Sequence, residues 1–102
     1  MKTGRGKDLS RYLNVLRKDK AGMAKRFSVQ SMAIFGSYSR RQQTAKSDLD
    51  ILVEFFNPPG LFQFMELADY LNDLLGVKVD LVIKDALKPN IGKHILDEII
   101  PV

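Results

Sequence analysis

The segment from Ser47 to Phe55 reads Ser-Asp-Leu-Asp-Ile-Leu-Val-Glu-Phe, and apolar residues alternate with acids along most of it. Because successive side chains of a strand point to opposite faces, this alternation predicts a strand from Leu49 to Phe56 with one apolar and one acidic face. The stretch Asn57-Pro58-Pro59-Gly60 then predicts a turn, since it cannot continue a strand. The apolar face consists of Leu49, Ile51, Val53 and Phe55, and the other face of Asp48, Asp50, Leu52 and Glu54.

Two other parts of the chain have the apolar spacing of helices. Residues 8–27 carry apolar side chains every three or four positions, and Gly22 predicts a break that divides them into two helices. Residues 61–75 show the same spacing more clearly, and Gly76 fits the position just after a helix end. We predict that the stripe of this helix that faces the core consists of Leu61, Phe64, Met65, Ala68, Leu71 and Leu75.

Short apolar runs predict two further strands, Met32 to Phe35 and Val77 to Ile83. A short helix is predicted from Ser37 to Gln43, and a closing helix from Ile91 to Ile100, which Pro101 would stop. Helices and strands alternate along the chain. We therefore predict an α+β (α/β) fold in which helices pack on a small mixed β-sheet.

The composition favours one small globular domain and excludes several kinds of chemistry. The chain has 102 residues, of which 45% are apolar and 27% charged, so we predict a single domain over residues 1–102 with residues 1–7 flexible. No run of 18 apolar residues is present, and we expect a cytoplasmic protein without a membrane contact. There is no cysteine, and His94 is the one histidine, which argues against thiolate zinc sites, cysteine nucleophiles and Ser-His-Asp triads.

The charge of the chain is unevenly distributed. Residues 1–46 hold twelve Lys or Arg and two Asp, whereas residues 47–102 hold four Lys and ten Asp or Glu. A basic segment of this kind suits a nucleic acid, a nucleotide or an acidic partner, or forms a solvated helix face. The sequence lacks a recognisable motif that reads DNA, so we expect no nucleic-acid partner.

Three acids on the predicted strands suggest a metal site. Asp48 and Asp50 lie two residues apart on one face, which places their Cα atoms about 6.6 Å apart. Asp80 lies on the polar side of the third predicted strand, and it joins them if the two strands pair in the right register. Close carboxylates repel one another unless a cation neutralises them, and Mg²⁺ prefers such oxygen ligands together with substrate phosphates. Three acids could hold two ions, the arrangement that supports phosphoryl or nucleotidyl transfer.

A second set of residues suits a phosphate. Gly36 and Ser37 lie between a predicted strand and a predicted helix, where backbone N–H groups and a hydroxyl could bind an anion. Arg40 follows about one helical turn later and could reach the same anion. Each of these features is common by itself, and Asp80 is the most informative residue because aspartate is depleted in strands.

In combination, these motifs resemble the DNA polymerase β-type nucleotidyltransferase superfamily. The family pattern is Gly-Ser, about ten residues, then Asp-x-Asp, and here Gly36-Ser37 is followed by residues 38–47 and then Asp48-Leu49-Asp50. Val79-Asp80-Leu81-Val82 stands where the family has its third acid. The small size resembles, more narrowly, the minimal nucleotidyltransferases that act as antitoxins in prokaryotic toxin–antitoxin pairs. One departure is Arg41, where many relatives have glycine.

The resemblance implies a polymerase β-like palm fold and a reaction. ATP would bind with its phosphates at Gly36, Ser37 and Arg40, while Asp48, Asp50 and Asp80 would be the catalytic residues and would hold two Mg²⁺ ions. The acceptor implied by the antitoxin family is a tyrosine hydroxyl of a ribonuclease toxin with the helical HEPN fold, which AMP transfer would neutralise within a hetero-oligomer.

Two other hypotheses compete with this one. The chain could be a non-catalytic module that neutralises its partner by forming a complex, or a nucleic-acid-binding domain that uses its basic part. A relative that modifies aminoglycosides would need an antibiotic-binding domain, for which the chain is short. Phe62 is a candidate for a partner contact, and Tyr38 for a nucleotide contact.

Overall fold

The computed structural model describes residues 5–36, 38–39, 48–84 and 98–102, with residues 5–8 described by their backbone alone. In these ranges, neither helix is both long and apolar enough to cross a membrane. The elements of the described residues are α1 (Arg5–Phe27), β1 (Val29–Phe35), β2 (Leu49–Phe55), α2 (Leu61–Leu75), β3 (Val79–Ile83) and β4 (Ile100–Pro101).

The described strands form one mixed sheet in the order β3-β2-β1-β4, which confirms the predicted α+β class. β1 is antiparallel to both β2 and β4, whereas β2 and β3 are parallel. The parallel pair requires a crossover, and α2 provides it. At the β1–β2 pair, Phe35 lies opposite Asp50, so the end of β1 and the beginning of β2 meet at one edge of the sheet.

Both described helices pack on one face of the sheet. α1 contacts β1, α2 contacts β3, and the two helices contact each other. The opposite face of the sheet carries the acids of β2 and β3. The fully buried side chains of the core come from both helices and from β1 and β2: Leu16, Met23, Val29, Ile34, Leu49, Ile51, Val53, Leu67, Leu71 and Leu75.

The first helix is continuous, so the predicted break at Gly22 is wrong. Leu16 and Met23 are both fully buried on the same face of α1, and this packing spans the glycine. A glycine inside a helix costs about 1 kcal/mol relative to alanine, which the burial of two large side chains exceeds.

The second helix has the predicted bounds, but its buried stripe is shifted. Leu71 and Leu75 are buried as predicted and Gly76 ends the helix with a φ of 68°. However, Leu67 is fully buried, whereas Leu61 and Met65 are exposed. Two apolar stripes of this helix satisfy the same spacing, and the contacts with α1 and β3 determine which one is buried.

The predicted closing helix is wrong at its C-terminal end, where Ile100 and Pro101 form β4 instead. The free edge of β1 offers backbone groups that need partners, and Val102 N–H donates to Met32 O at 3.0 Å. Proline is tolerated in such an edge strand. The remainder of that predicted helix, residues 91–97, lies outside the described residues, as does most of the short helix predicted for residues 37–43.

Candidate active site

Asp50 of β2 and Asp80 of β3 are direct neighbours in the sheet. The parallel register pairs Asp50 with Asp80, so the register on which the sequence argument depended is present. Paired residues of adjacent strands point to the same face, which is here the face opposite the two described helices. Asp80 is exposed and Asp50 is half-buried, so both lie within reach of a ligand from solvent.

Gly36 brings the first motif against the second. It follows β1 directly and has a φ of +73°, a conformation that residues with a side chain rarely adopt. A Cβ atom at this position would stand 3.0 Å from Cγ of Asp50 and closer still to its Oδ2. Because Gly36 has no side chain, the Asp50 carboxylate can lie directly against the backbone of Gly36.

Asp48, in contrast, is not paired with another acid across the β2–β3 ladder. Its Oδ2 lies 3.9 Å from Nζ of Lys78, and the side chains are 42% and 79% exposed, so the ion pair is weak. Among the described residues, no three His, Cys, Asp or Glu side chains are grouped so that they could hold a metal ion. The structure thus pairs two of the three predicted acids and sets the third beside a lysine.

The turn after β1 is held from within the molecule. Ser39 Oγ donates a hydrogen bond of 2.9 Å to Gly36 O. The ring of Tyr38 is buried and meets the ring of Tyr12 edge-on, with 5.8 Å between the centroids. Tyr38 therefore packs into the core, and its contact with a nucleotide stays a prediction. The other two residues predicted to bind phosphate, Ser37 and Arg40, lie outside the described residues.

Two residues near the site were not selected from the sequence. Lys78 carries the same i, i+2 relation to Asp80 that Asp48 has to Asp50, and this spacing could have identified it as a neighbour of the acids. Tyr12 supports the turn through Tyr38, and Arg11 lies over its ring at 4.6 Å. Tyr12 is one of the apolar residues spaced along residues 8–27, and nothing in its local sequence indicates its partner.

A second polar group lies further along the same face of the sheet. Ser31 Oγ donates to Glu54 Oε1 at 2.8 Å, and Lys84 Nζ lies 3.4 Å from the same oxygen. The hydrogen bond from Ser31, followed by the interactions with Lys84, lowers the pKa of the Glu54 carboxyl below its usual value. These three side chains border a cavity of about 120 Å³ that Leu52 and Pro101 also line. The group connects three strands at a distance from the paired aspartates.

The residues present fit a divalent cation with hard oxygen ligands. Asp50 and Asp80 supply two neighbouring carboxylates, and Gly36 leaves the space in which one of them is held. Mg²⁺ is usually bound by one or two carboxylates together with waters and substrate phosphates, so a pair of acids meets its requirement.

The sequence model of the nucleotidyltransferase domain family matches residues 16–102. The chain is 54% identical over 97 residues to a provisionally named protein adenylyltransferase of Methanocaldococcus jannaschii, a match that covers 94% of this chain and 99% of that protein. It is also 44% identical over 89 residues to the protein adenylyltransferase MntA of Thermococcus cleftensis, which covers 87% of this chain and 90% of that protein.

Solved structures show the same fold. A provisionally assigned minimal nucleotidyltransferase has a TM-score of 0.76 at 31% identity, over 98% of this chain and 97% of that one. A toxin–antitoxin structure with AMP-PNP has a TM-score of 0.66 at 25% identity, over 90% and 69% of the two chains. The complex of a tri-AMPylated Shewanella oneidensis HEPN toxin with an MNT antitoxin has a TM-score of 0.59 at 22% identity, over 95% and 70%, and shows the fold alone.

These matches confirm the resemblance and the polymerase β-like fold that the three motifs predicted. The family match begins within α1 and includes every strand, and the relative from Methanocaldococcus jannaschii extends over nearly the whole chain at a level of identity that leaves no doubt about common ancestry. The chain therefore belongs to the nucleotidyltransferase domain family and is a nucleotidyltransferase enzyme.

Proposed function

We propose that the protein is a Mg²⁺-dependent adenylyltransferase that transfers AMP from ATP to a tyrosine hydroxyl of a HEPN-fold toxin and thereby neutralises it. The observation that carries this proposal is the pairing of Asp50 with Asp80 beside Gly36, because it unites a carboxylate pair with a close backbone approach at one edge of the sheet. The names of the relatives support the AMP transfer, and the AMP-PNP of the solved toxin–antitoxin structure supports a nucleotide substrate.

The partner is inferred from the proteins that share this fold. One solved complex contains an AMPylated HEPN toxin beside its antitoxin, and another is a toxin–antitoxin structure that the chain matches at 25% identity. These complexes support a hetero-oligomer of this chain with such a toxin. Tyrosine is the acceptor implied by the resemblance to the antitoxin family, and its phenolic oxygen is a suitable nucleophile once it loses its proton.

The proposed reaction forms one bond and breaks one. The acceptor oxygen attacks the α-phosphorus of ATP, the bond from that phosphorus to the bridging oxygen of the β-phosphate breaks, and pyrophosphate leaves. Asp80, on the exposed side of the carboxylate pair, accepts the proton of the acceptor hydroxyl. Gly36 and Ser37, with Arg40, bind the leaving phosphates. Catalysis then arises mainly from positioning and from the neutralisation of charge.

Asp48, Asp50 and Asp80 would hold Mg²⁺, with two ions when ATP is bound. The metal supplies positive charge that offsets both the carboxylates and the phosphates of the substrate. In this arrangement, Asp48 would bind the metal in place of Lys78. The ion pair between Asp48 and Lys78 is long and exposed, so Asp48 could give up this contact for a metal ion at little cost.

The proposal is tested by incubating the protein with ATP labelled on the α-phosphate, Mg²⁺ and the purified HEPN-fold product of the neighbouring gene. We expect label on a tyrosine of that partner, and its loss with Asp50→Asn and Asp80→Asn, each checked for a native circular dichroism spectrum. A stable complex without label from any nucleoside triphosphate would overturn the enzymatic proposal and favour neutralisation by binding alone.

A further inference from the structure

The outward side of α2 carries large apolar side chains in its first two turns. Leu61 is 71% exposed, Phe62 is 78% exposed and Met65 is 51% exposed. The buried side of the same helix consists of Leu67, Leu71 and Leu75. The exposed residues Leu61, Phe62 and Met65 are therefore not needed to complete the core. Exposed apolar residues that cluster in this way usually mark an interaction site.

The same side of α2 continues as an acidic surface. Glu66, Asp69 and Asp73 are exposed, and the helical repeat places them along the line that begins at Phe62. The sequence of α2 contains three acids and neither Lys nor Arg, although the chain as a whole has a net charge of +4. We call the surface formed by Leu61, Phe62, Met65, Glu66, Asp69 and Asp73 the outer face of α2.

Contacts with α1 fix the position of this face. Gln63 Nε2 donates to Phe27 O at 2.6 Å, and Tyr70 OH donates to Asp19 Oδ2 at 2.5 Å. Arg26 lies over the ring of Tyr70 at 4.8 Å from its centroid. The outer face is therefore presented by a helix that is already held in place, and a partner that binds there has little chain to order.

We propose that the outer face of α2 is the docking surface for the acceptor protein of the AMP transfer, which would present an apolar pocket bordered by Lys or Arg. This inference rests on the proposed function, because it takes the acceptor to be a protein. Charge complementarity carries it: an apolar first half and a wholly acidic second half fit a partner with the opposite pattern. Phe62 is the expected anchor, since aromatic residues dominate the binding energy of such surfaces.

A second copy of this chain fits the outer face less well. In a two-fold contact, the same surface of each copy meets the other. If the two copies of α2 ran in the same direction, the acids Glu66, Asp69 and Asp73 of one copy would face the same acids of the other copy and repel them. In opposite directions, the apolar turn of one copy would desolvate the acids of the other without a basic partner.

The test measures AMP transfer at saturating ATP and Mg²⁺ while the concentration of the HEPN-fold acceptor is varied. For Phe62→Ser we expect the KM for the acceptor to rise about 10- to 30-fold, as expected for loss of a hot-spot residue. The KM for ATP and the free energy of unfolding should stay unchanged, because the side chain is exposed in the free enzyme.

A charge-matched pair of variants tests the acidic half. Glu66→Gln combined with Asp69→Asn should raise the KM for the acceptor and weaken its dependence on salt. Asn14→Lys combined with Gln30→Lys raises the net charge by the same amount at exposed positions of α1 and β1, and should leave that KM unaltered.

The outcomes separate this inference from the proposed function. If the wild type transfers AMP and both outer-face variants retain its KM for the acceptor, the docking surface is elsewhere. A wild type that dimerises in sedimentation experiments, and that Phe62→Ser converts to a monomer, would assign the face to a second copy. If no AMP is transferred, the calorimetric affinity for the same acceptor replaces KM, and an affinity that Phe62→Ser does not reduce overturns the docking surface as well.

Discussion

At the scale of single residues, Gly36 is the position at which backbone conformation and side-chain chemistry depend on each other most directly. Its positive φ turns the chain after β1, and its missing side chain leaves room for the Asp50 carboxylate. Gly76 has nearly the same φ, +68°, but a Cβ there would meet no atom within 4 Å. A side chain at Gly76 would thus meet only the cost of the positive φ, whereas a side chain at Gly36 would also clash with Asp50.

We expect Gly36→Ala to abolish catalysis, whereas Gly76→Ala should lower stability alone. Both variants place an L side chain at positive φ, which should reduce the free energy of unfolding by about 1–2 kcal/mol. Only Gly36→Ala displaces Asp50, and a displacement of about 1 Å at a reacting group can reduce the rate about 100-fold. Denaturant unfolding and AMP transfer measure the two effects, and equal activity of the two variants would contradict this interpretation.

Lys78 is a positively charged competitor of a metal ion at Asp48. The pair is exposed and its atoms are 3.9 Å apart, so it contributes little to stability. We expect Lys78→Gln to lower the Mg²⁺ concentration for half-maximal activity about two- to fivefold, which corresponds to the typical energy of such a pair. Lys20→Gln, an exposed change on α1, serves as the control. A higher Mg²⁺ requirement in Lys78→Gln would show that the lysine assists the site.

At the scale of elements, a group of three polar side chains connects neighbouring parts of the sheet on the face opposite the two described helices. Ser31 belongs to β1, Glu54 to β2, and Lys84 follows β3 directly. Both neighbours interact with the same oxygen of Glu54 and lower the pKa of its carboxyl. A carboxyl whose pKa is lowered by folding stabilises the folded state above its unfolded pKa, and this contribution is lost as the pH falls through the lowered value.

Ser31→Ala should therefore destabilise the protein in a manner that depends on pH. Near pH 7 we expect a loss of about 0.5–1 kcal/mol, because the hydrogen bond to a partly exposed carboxylate is removed. The difference from the wild type should shrink as the pH falls through the lowered pKa of the Glu54 carboxyl, because protonation removes the charge that strengthens the hydrogen bond. Urea unfolding at several pH values tests this. The control Ser10→Ala, at an exposed position of α1, should show no such trend, and a pH-independent difference for Ser31→Ala would refute the argument.

The elements differ in how well local sequence predicts them. β2 and α2 were predicted within a residue or two because alternation and helical spacing are local properties of their own side chains. The break at Gly22 and the buried stripe of α2 were predicted wrongly because contacts between helices decide both. β4 could not be predicted from residues 100–101, since two residues carry no period and only the unpaired edge of β1 makes them a strand.

At the scale of the whole molecule, the candidate site is assembled from segments that together span more than 40 residues of the sequence, from Gly36 to Asp80. The spacing of Gly36, Asp48 and Asp50 is visible in the sequence, and it carried the resemblance to the family. The neighbourhood of Asp80 and the ion pair of Asp48 depended on a register that only the sheet provides. The support of Tyr38 by Tyr12 was likewise hidden, because α1 and the turn after β1 meet only in the folded molecule.

The paired acids should make the whole molecule less stable than it could be without them. Asp50 and Asp80 carry like charges at paired positions of adjacent strands, an arrangement that is destabilising by several tenths of a kcal/mol. We expect Asp80→Asn to raise the melting temperature by about 1–5 °C at low salt without divalent metal. Asp48→Asn removes an attractive contact with Lys78 and should not raise the melting temperature.

Saturating Mg²⁺ and ATP should raise the melting temperature of the wild type through binding, and should raise that of Asp80→Asn much less. A metal-free Asp80→Asn variant that melts below the wild type would show that this carboxylate stabilises the fold, against the role proposed for it.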